Sequence, residues 1–463
     1  MSRLPELVET LFAGKHREQG PYGRLFVVSA FGGITDLLLE HKKSGKPGVY
    51  ALYASSEGDH GWSEALSGVA TAMNAAHDAV LSHPGDRAAA ADFVRERIEG
   101  ARSCLIDLQR LCSYGHFRLS EHLLSIRELL SGLGEAHSAH VTALALRRHG
   151  IEARCVDLSG WRDDAGPDLD TRLKTGLADI DITTEMPIVT GYAQCREGLM
   201  REFDRGYSEV TFSRIAALTG PVEAIIHKEF HLSSADPRLV GANEVRILGH
   251  SNYDVADQLA NMGMEAIHPT AAKTLRRAAV PLRVTNAFDP DHAGTLIDDA
   301  PAARPAAEVV TGLDLHAFEV FEQDMVGVKG YDATILDVLK RHDVRIVSKS
   351  SNANTITHFL DAPLKALRRV ERDIEARFPS AEVTVRALSL VSVIGRDLSG
   401  LKVLPRGLAA LAEAGIEVLA AQQTTRRVDV QFVVARGDRE GAVKALHAAV
   451  IGGRVAEVPR RAA

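Results

Sequence analysis

Cysteine is scarce: there are four in 463 residues (Cys104, Cys112, Cys155, Cys195), and no two form a C-x-x-C pair. That count and spacing exclude a disulfide framework and a thiolate zinc site, and they point to a reducing, cytoplasmic setting. Long apolar runs are missing too. No stretch reaches the ~18 consecutive apolar residues of a membrane span, so no membrane partner is expected. The opening segment, MSRLPELVETLFAGKHREQG, lacks the apolar core and small-residue cleavage site of a signal peptide. Positive charge is not in excess: Lys+Arg 54 against Asp+Glu 61 leaves a net charge of −7. This argues against a nucleic-acid binder that relies on bulk charge. What is present, 45% hydrophobic and 25% charged residues, is the composition of an ordinary globular chain. Its length suits roughly three average domains.

From Arg24 to Ile297 short apolar runs alternate with helix-period segments. RLFVVSA (24–30) is a continuous β-branched and apolar run ending at Gly32-Gly33, as a strand buried on both faces requires. A helix over 34–42 follows. Apolar residues at three- and four-residue spacing predict helices over 64–81, 88–112 and 119–149, with shorter ones at 209–218, 254–262 and 271–279. Strands are predicted at 187–193, 223–230 and 281–288. Strands alternating with helices mean an α/β architecture built mainly on a parallel sheet sandwiched by helices. The Pro- and Ala-rich stretch 298–308 is the best boundary in the sequence. Beyond it, strand, helix and two strands (318–323, 334–342, 344–350, 355–360) precede a helix at 365–378. Strand, helix and two strands then recur (390–395, 406–415, 416–422, 428–434). Leu339 and Leu411, Val344 and Ile416, and Ile346 and Val418 occupy matching places, so the tail reads as two copies of one small α+β unit. The expected division is 1–300, 301–388 and 389–463, and the last strand could return to the first copy.

Two glycine-bearing turns carry the chemistry. Ser29-Ala30-Phe31-Gly32-Gly33 joins a strand to a helix, where backbone N–H groups and the helix start favour an anion; glycine needed only for its φ is the plain alternative. Asp204-Arg205-Gly206-Tyr207-Ser208-Glu209 also precedes a helix. There Arg205 can clamp a carboxylate, Ser208 can bind an oxygen, and Glu209 can hold an amino group or a proton. Ser208 as a simple N-cap is compatible with the same string. His227, Glu229 and His231 alternate within a predicted strand, and His137/His140 and His116/His122 are helical pairs without an H-E-x-x-H motif. None of these is assigned a metal.

VVSAFGGITDLL (27–38), FDRGYSEVTFSRIAALTG (203–220), SSADPRLV (233–240), GMEAIHPTAAKTLRRAAVPLRVTNAFDPDHAGTLI (263–297) and the repeated tail resemble aspartokinases over nearly the whole chain. The resemblance implies an amino-acid-kinase fold followed by tandem ACT domains. It also implies phosphoryl transfer from ATP, with Mg²⁺, to the side-chain carboxylate of L-aspartate, giving 4-phospho-L-aspartate. LLLEHKKSGKPGVY (37–50), CSYGHFRLSEHLLSIRELL (112–130), LGEAHSAH (133–140) and EAIIHKEFHLSSADPRLVGA (223–242) are similar to the form associated with ectoine biosynthesis. By the same resemblance Ser29, Ala30, Gly32, Gly33 and Thr35 line the substrate and phosphate pocket. Arg205 holds the substrate carboxylate beside Ser208, Glu209 stands where the family usually has Asp, and Arg205 and Glu209 are the catalytic pair. Ser233, Asp236 and Arg238 belong to the nucleotide.

Several positions depart from the family pattern. The K-x-G-G-[TS]-S strand that usually opens such chains is missing. An in-frame extension upstream of Met1 is therefore expected to encode its Lys. The G-E-x-x-S carboxylate that meets the substrate amine is read at Gly115-His116-Phe117, with Glu121 the nearest acid. The Thr-Asp pair near the nucleotide is His227-Lys228, and the Lys of G-A-K-V-x-H-P is Glu265, leaving Lys228 or Lys273 as replacement cation. ACT pairs bind amino-acid effectors in a dimer. The corresponding positions are Met325–Asp332, Asn352–Asn354 and Gln422–Asp429, although the usual N-I-S reads Asp429-Val430-Gln431. Effector binding and dimerisation alone both remain open. The sequence thus reads as an ectoine-linked aspartate kinase, with homodimer the expected assembly. The alternatives are a catalytically impaired, amino-acid-binding regulatory protein, and a kinase for another carboxylate such as glutamate. The reading requires the turns at 29–35 and 204–209 to meet.

Overall fold

The run at 24–30 becomes a strand because β-branched and aromatic side chains suit a pleated surface covered on both sides. In the computed structural model, which describes residues 3–14, 20–42, 44–55, 61–163, 166–264 and 266–452, it forms β1 (Phe26–Val28). Two more strands join it in parallel. The four-residue β2 (Ala153–Val156) is buried only at its two ends, too short a signal to stand out in the sequence, whereas β3 (Met186–Thr190) is buried throughout. Their order is β1-β3-β2, with Phe26 opposite Ile188 and Ala153 opposite Met186. The central place of β3 explains its unbroken apolar run.

The predicted helices form at Gly61–Val80, Pro84–Cys112 and Leu119–Arg148. The last is buried on every side between Leu130 and Ala139, where all residues but Glu135 and His137 are apolar or small. A helix of that kind belongs inside a domain. Ahead of β1 the chain is helical, not extended: Leu4–Leu7 continues into one wide turn over Val8–Phe12, burying Leu4, Leu7, Val8 and Phe12. Arg24 closes this helix by donating to the carbonyls of Leu11 (3.0 Å) and Phe12 (2.7 Å). The helix Tyr207–Thr219 and strand β4 (Ala224–Lys228) follow β3.

The chain divides into two compact units. One comprises Met1–Glu229, Thr270–Val280 and Asn286–His292; the other comprises Phe230–Pro269, Pro281–Thr285 and Ala293–Ala463. The Pro/Ala-rich stretch lies inside the second unit. Glu308 accepts from Ser251 (2.7 Å) and Arg396 (2.6 Å), and the Val310 amide donates to the Ser234 carbonyl (2.8 Å).

In that second unit β5 (His250–Asn252) runs parallel to β7 (Thr295–Asp298), and β6 (Leu282–Asn286) pairs antiparallel with β7 from Leu282 to Val284. The repeated tail supplies β8 (Val309–Phe321), β9 (Arg345–Ser351), β10 (Thr355–Asp361), β11 (Glu382–Ile394), β12 (Ala420–Gln423) and β13 (Asp429–Ala435). They make one antiparallel sheet ordered β12-β13-β11-β8-β10-β9. Strands β8 and β11 pair from Val309–Ile394 through Phe321–Glu382, so the two copies sit about a pseudo-two-fold between them. Each copy carries a second helix after its last strand, Leu364–Arg377 in one and Arg439–His447 in the other. Leu339 and Leu411 fill equivalent core places under their sheets. The last strand among the described residues, β13, pairs with β11 and β12 of its own copy and does not return to the first. No helix among the described residues is long and apolar enough to cross a membrane.

Replacing Arg24 by Ala leaves two helix-end carbonyls without their cationic partner. The first unit should lose about 1–3 kcal/mol, read as a fall in its denaturation midpoint.

Candidate active site

The site begins where β1 and β3 end side by side. The Gly191 amide donates to the Val28 carbonyl (3.0 Å), and Ser138 from the Leu119–Arg148 helix donates to the Ser29 carbonyl (2.8 Å). The chain then turns through Gly33, whose φ of 83° is a left-handed value that favours glycine, into the short helix Ile34–Leu38. Three elements converge on one buried carboxylate, Glu135, which is 2% exposed. Ser208 at the start of the Tyr207–Thr219 helix donates to its Oε1 at 2.6 Å. The amides of Ala30 and Tyr192 face the same group, yet Oε2 makes no well-formed hydrogen bond. Burial pushes the Glu135 carboxyl up to about 8, against the opposite pull of Ser208 and the two amides. Gly191 is obligatory here, because a Cβ would come within 2.8 Å of both Glu135 Oε2 and Ser208 Oγ.

The turns at 29–35 and 204–209 therefore meet. Tyr207, buried behind Ser208, hydrogen-bonds Thr35, and its ring stands edge-on to Tyr192 at 5.5 Å. Arg205 donates to Asp36 Oδ1 and to the Glu40 carbonyl, and lies 3.5 Å from the Glu40 carboxylate. Arg127 grips that carboxylate with two bonds of 2.9 and 2.7 Å, reaches Asp204 at 3.4 Å and stacks over Tyr50. Asp204 has a φ of 46°, a costly conformation for a residue with a Cβ. Glu209 pairs with Lys228 Nζ at 3.2 Å.

One assignment changes. Glu121 sits exposed in the first turn of the Leu119–Arg148 helix, fourteen residues and so about 21 Å along the axis from Glu135. The carboxylate in the site is Glu135, and Gly134-Glu135-Ala136-His137-Ser138 spells the G-E-x-x-S string outright. Reading that string at Gly115 missed a motif that was legible. Beneath the turn, His137 packs against Phe31 and hydrogen-bonds His77 (3.2 Å); burial holds it neutral, down at about 3.

His227 ends near Lys228 in β4, its imidazole lowered to about 4 by burial and then by the charge of Arg24. Strand β4 stops at Lys228, so Glu229 and His231 do not continue its alternation. Lys273 is exposed on the Pro269–Arg277 helix, and Glu265 lies outside the described residues. In the second unit Ser233 donates to the Ala235 carbonyl (2.7 Å). Asp236 caps the turn Pro237–Val240 and pairs with the exposed Arg238 at 2.7 Å. Among the described residues no cluster of three His, Cys, Asp or Glu is arranged for a metal.

Residues 3–286 match the amino acid kinase family. The aspartate kinase Ask_Ect of Stutzerimonas stutzeri is 50% identical over 453 residues, covering 97% of this chain and 95% of that protein. The chain belongs to the aspartate kinases. Chloroplastic aspartokinase 3 of Arabidopsis thaliana is 25% identical over 387 residues, 77% of this chain and 66% of its own length. The fold is shared with Escherichia coli aspartokinase III solved with aspartate and ADP, with a TM-score of 0.69 at 18% identity and 96% of each chain covered. The same enzyme solved with lysine and aspartate superposes with a TM-score of 0.68 at 19% identity, over 92% of this chain and 93% of that one. This aspartate kinase thus carries the two convergent turns within the matched region.

The raised Glu135 carboxyl fixes the sign of a pH effect. Its proton is held up to about 8 in the folded chain but lost near the ordinary 4.5 on unfolding. The stability it confers is therefore intact below about 4.5 and is lost as pH rises toward 8. Glu135→Gln should flatten the fall of the first unit's thermal midpoint over that window. Superimposable wild-type and variant profiles would show that the proton is not there.

Proposed function

We propose that this enzyme phosphorylates the side-chain carboxylate of L-aspartate with ATP and supplies ectoine biosynthesis. The observation that carries the reading is the meeting of an arginine turn and a glycine turn over a buried, hydrogen-bonded carboxylate. An amino dicarboxylate is bound in three places. Its α-carboxylate goes to the guanidinium of Arg205, which offers a planar pair of donors. Its ammonium goes to Glu135, whose Oε2 is short of a donor. Its side-chain carboxylate is left pointing toward the amides of the 29–33 turn and the helix start at Ile34. A side-chain oxygen then forms a bond to the γ-phosphorus while the bond to the β–γ bridging oxygen breaks and ADP departs. Catalysis of this kind is mostly positioning and charge neutralisation.

Lys228, from β4, is the cation that the first unit brings to Glu209 and so to this turn. Its ammonium, kept in place by Glu209, faces the nucleotide phosphates. Ser233, Asp236 and Arg238 are assigned to the nucleotide phosphates by the family resemblance alone. The donor set fits a Mg²⁺ that would arrive on ATP rather than in a protein cage: among the described residues no three acids are grouped to hold a metal, and Mg²⁺ characteristically keeps phosphate and water ligands. When bound, the ion neutralises charge on the phosphates. The designation Ask_Ect of the half-identical relative supports the ectoine reading.

For the tail we propose an amino-acid effector site in the first copy only. In the second copy the expected positions are satisfied, by one another and by Ser348 on β9 of the first copy. Gln431 donates to Asp429 (2.8 Å) and accepts from Gln422 (2.6 Å) and from Ser348 (2.7 Å). In the first copy Asp332 pairs with Lys349, and its Oδ1 stands 3.6 Å from Nε2 of the fully buried His358, whose ring nitrogens make no hydrogen bond.

Trapping the acyl phosphate with hydroxylamine should give aspartyl hydroxamate that depends on ATP and L-aspartate; equal turnover of L-glutamate would overturn the substrate. Arg205→Ala should raise the KM for aspartate roughly a hundredfold or abolish turnover, with an unchanged KM removing Arg205 from the site. Near pH 7 aspartate binding should release up to about one proton, because the incoming ammonium ionises Glu135. Binding enthalpies in buffers of different ionisation heat would reveal it.

A further inference from the structure

The guanidinium assigned to the substrate is already engaged. Arg205 is 12% exposed and bonded to the carboxylate of Asp36, which lies one residue beyond Thr35 in the other turn. Asp36 also accepts from the Lys42 amide (3.3 Å) and lies 3.8 Å from His41. Glu40, two residues beyond the same short helix, holds both Arg205 and Arg127, and Arg127 reaches Asp204. Two arginines face three carboxylates, so among these five side chains acids outnumber cations by one and both guanidinium groups are already paired. A dicarboxylic substrate entering it meets repulsion unless one internal carboxylate gives way. Asp36 is the one whose exchange is simplest. It is more exposed than Arg205, at 30% against 12%, and has the Lys42 amide and His41 to turn to. Glu40 by contrast is pinned by the two bonds from Arg127. The strained backbone at Asp204, immediately before Arg205, shows that the arginine turn is held in place at a cost.

We propose that Asp36 is a specificity-determining residue that occupies Arg205 as an internal carboxylate and must be displaced by the α-carboxylate of the substrate. The proposal rests on the aspartate reading of the site. It makes affinity for the substrate a difference between two carboxylates competing for one guanidinium. A ligand without an α-carboxylate cannot displace Asp36, and selectivity against amines and amides follows from that exchange.

The test is the binding of L-aspartate and of its α-amide, which keeps the ammonium and the side-chain carboxylate, to wild-type enzyme and to Asp36→Asn by calorimetry. Steady-state kinetics run alongside. Removing the competing charge should tighten L-aspartate by roughly three- to tenfold, with a matching fall in its KM. The α-amide should gain nothing, and the KM for ATP should not move. Should Asp36→Asn not fold, Asp36→Ser is read in the same way. Weaker or unchanged aspartate binding in a folded variant overturns the proposal and makes Asp36 a positioning residue for Arg205. Equal tightening of aspartate and its α-amide overturns it too, because the gain would not pass through the α-carboxylate. Loss of aspartate phosphorylation in every form, wild type included, would instead strike the reading of the site.

Discussion

A carboxylate taken out of water must find donors or keep its proton, and Glu135 does some of both. Its partners come from three separate stretches of chain: Ala30 after β1, Tyr192 after β3, and Ser208 at the head of the following helix. None of the three could relax without exposing or orphaning the acid. The sheet edge, the long Leu119–Arg148 helix and the arginine turn are thereby held to one geometry. Gly191 is the clearance that lets them close.

Around this centre the charges are arranged in pairs rather than as a surplus. Arg205 with Asp36, Arg127 with Glu40, and Lys228 with Glu209 each join a functional cation to an acid of the same unit. Such pairing keeps partly buried cations from repelling one another and fixes their direction. On the proposed reading of the site, substrate anions bind by exchange, and selectivity comes from how readily each internal salt link opens.

Much of this was legible in the sequence. β1, the long helices and the doubling of the tail followed from hydrophobic period alone, and the two glycine-bearing turns stood out by composition. The strands β2, β5 and β7, of three or four residues, left too few positions for a pattern to register. The division into units was hidden because Phe230–Pro269 and Ala293–Glu308 resemble the α/β part in sequence rhythm yet pack with the repeated tail. Local composition carries no record of such non-local contacts. Glu135 was a different kind of miss. Its motif was intact at 134–138, but a lone acid inside an apolar helix is usually read as a solvated stripe, and only burial marks it as functional. The partner of Arg205 could not have been read at all, because Asp36 lies 169 positions away in sequence.

The pairing of β8 with β11 has a consequence for regulation. Every residue of one 13-residue strand faces one of the other, without a bulge, and slipping by a single position would turn each side chain to the opposite face. The two copies are therefore splinted into a stiff plate, and a ligand bound to one cannot loosen it independently of its twin.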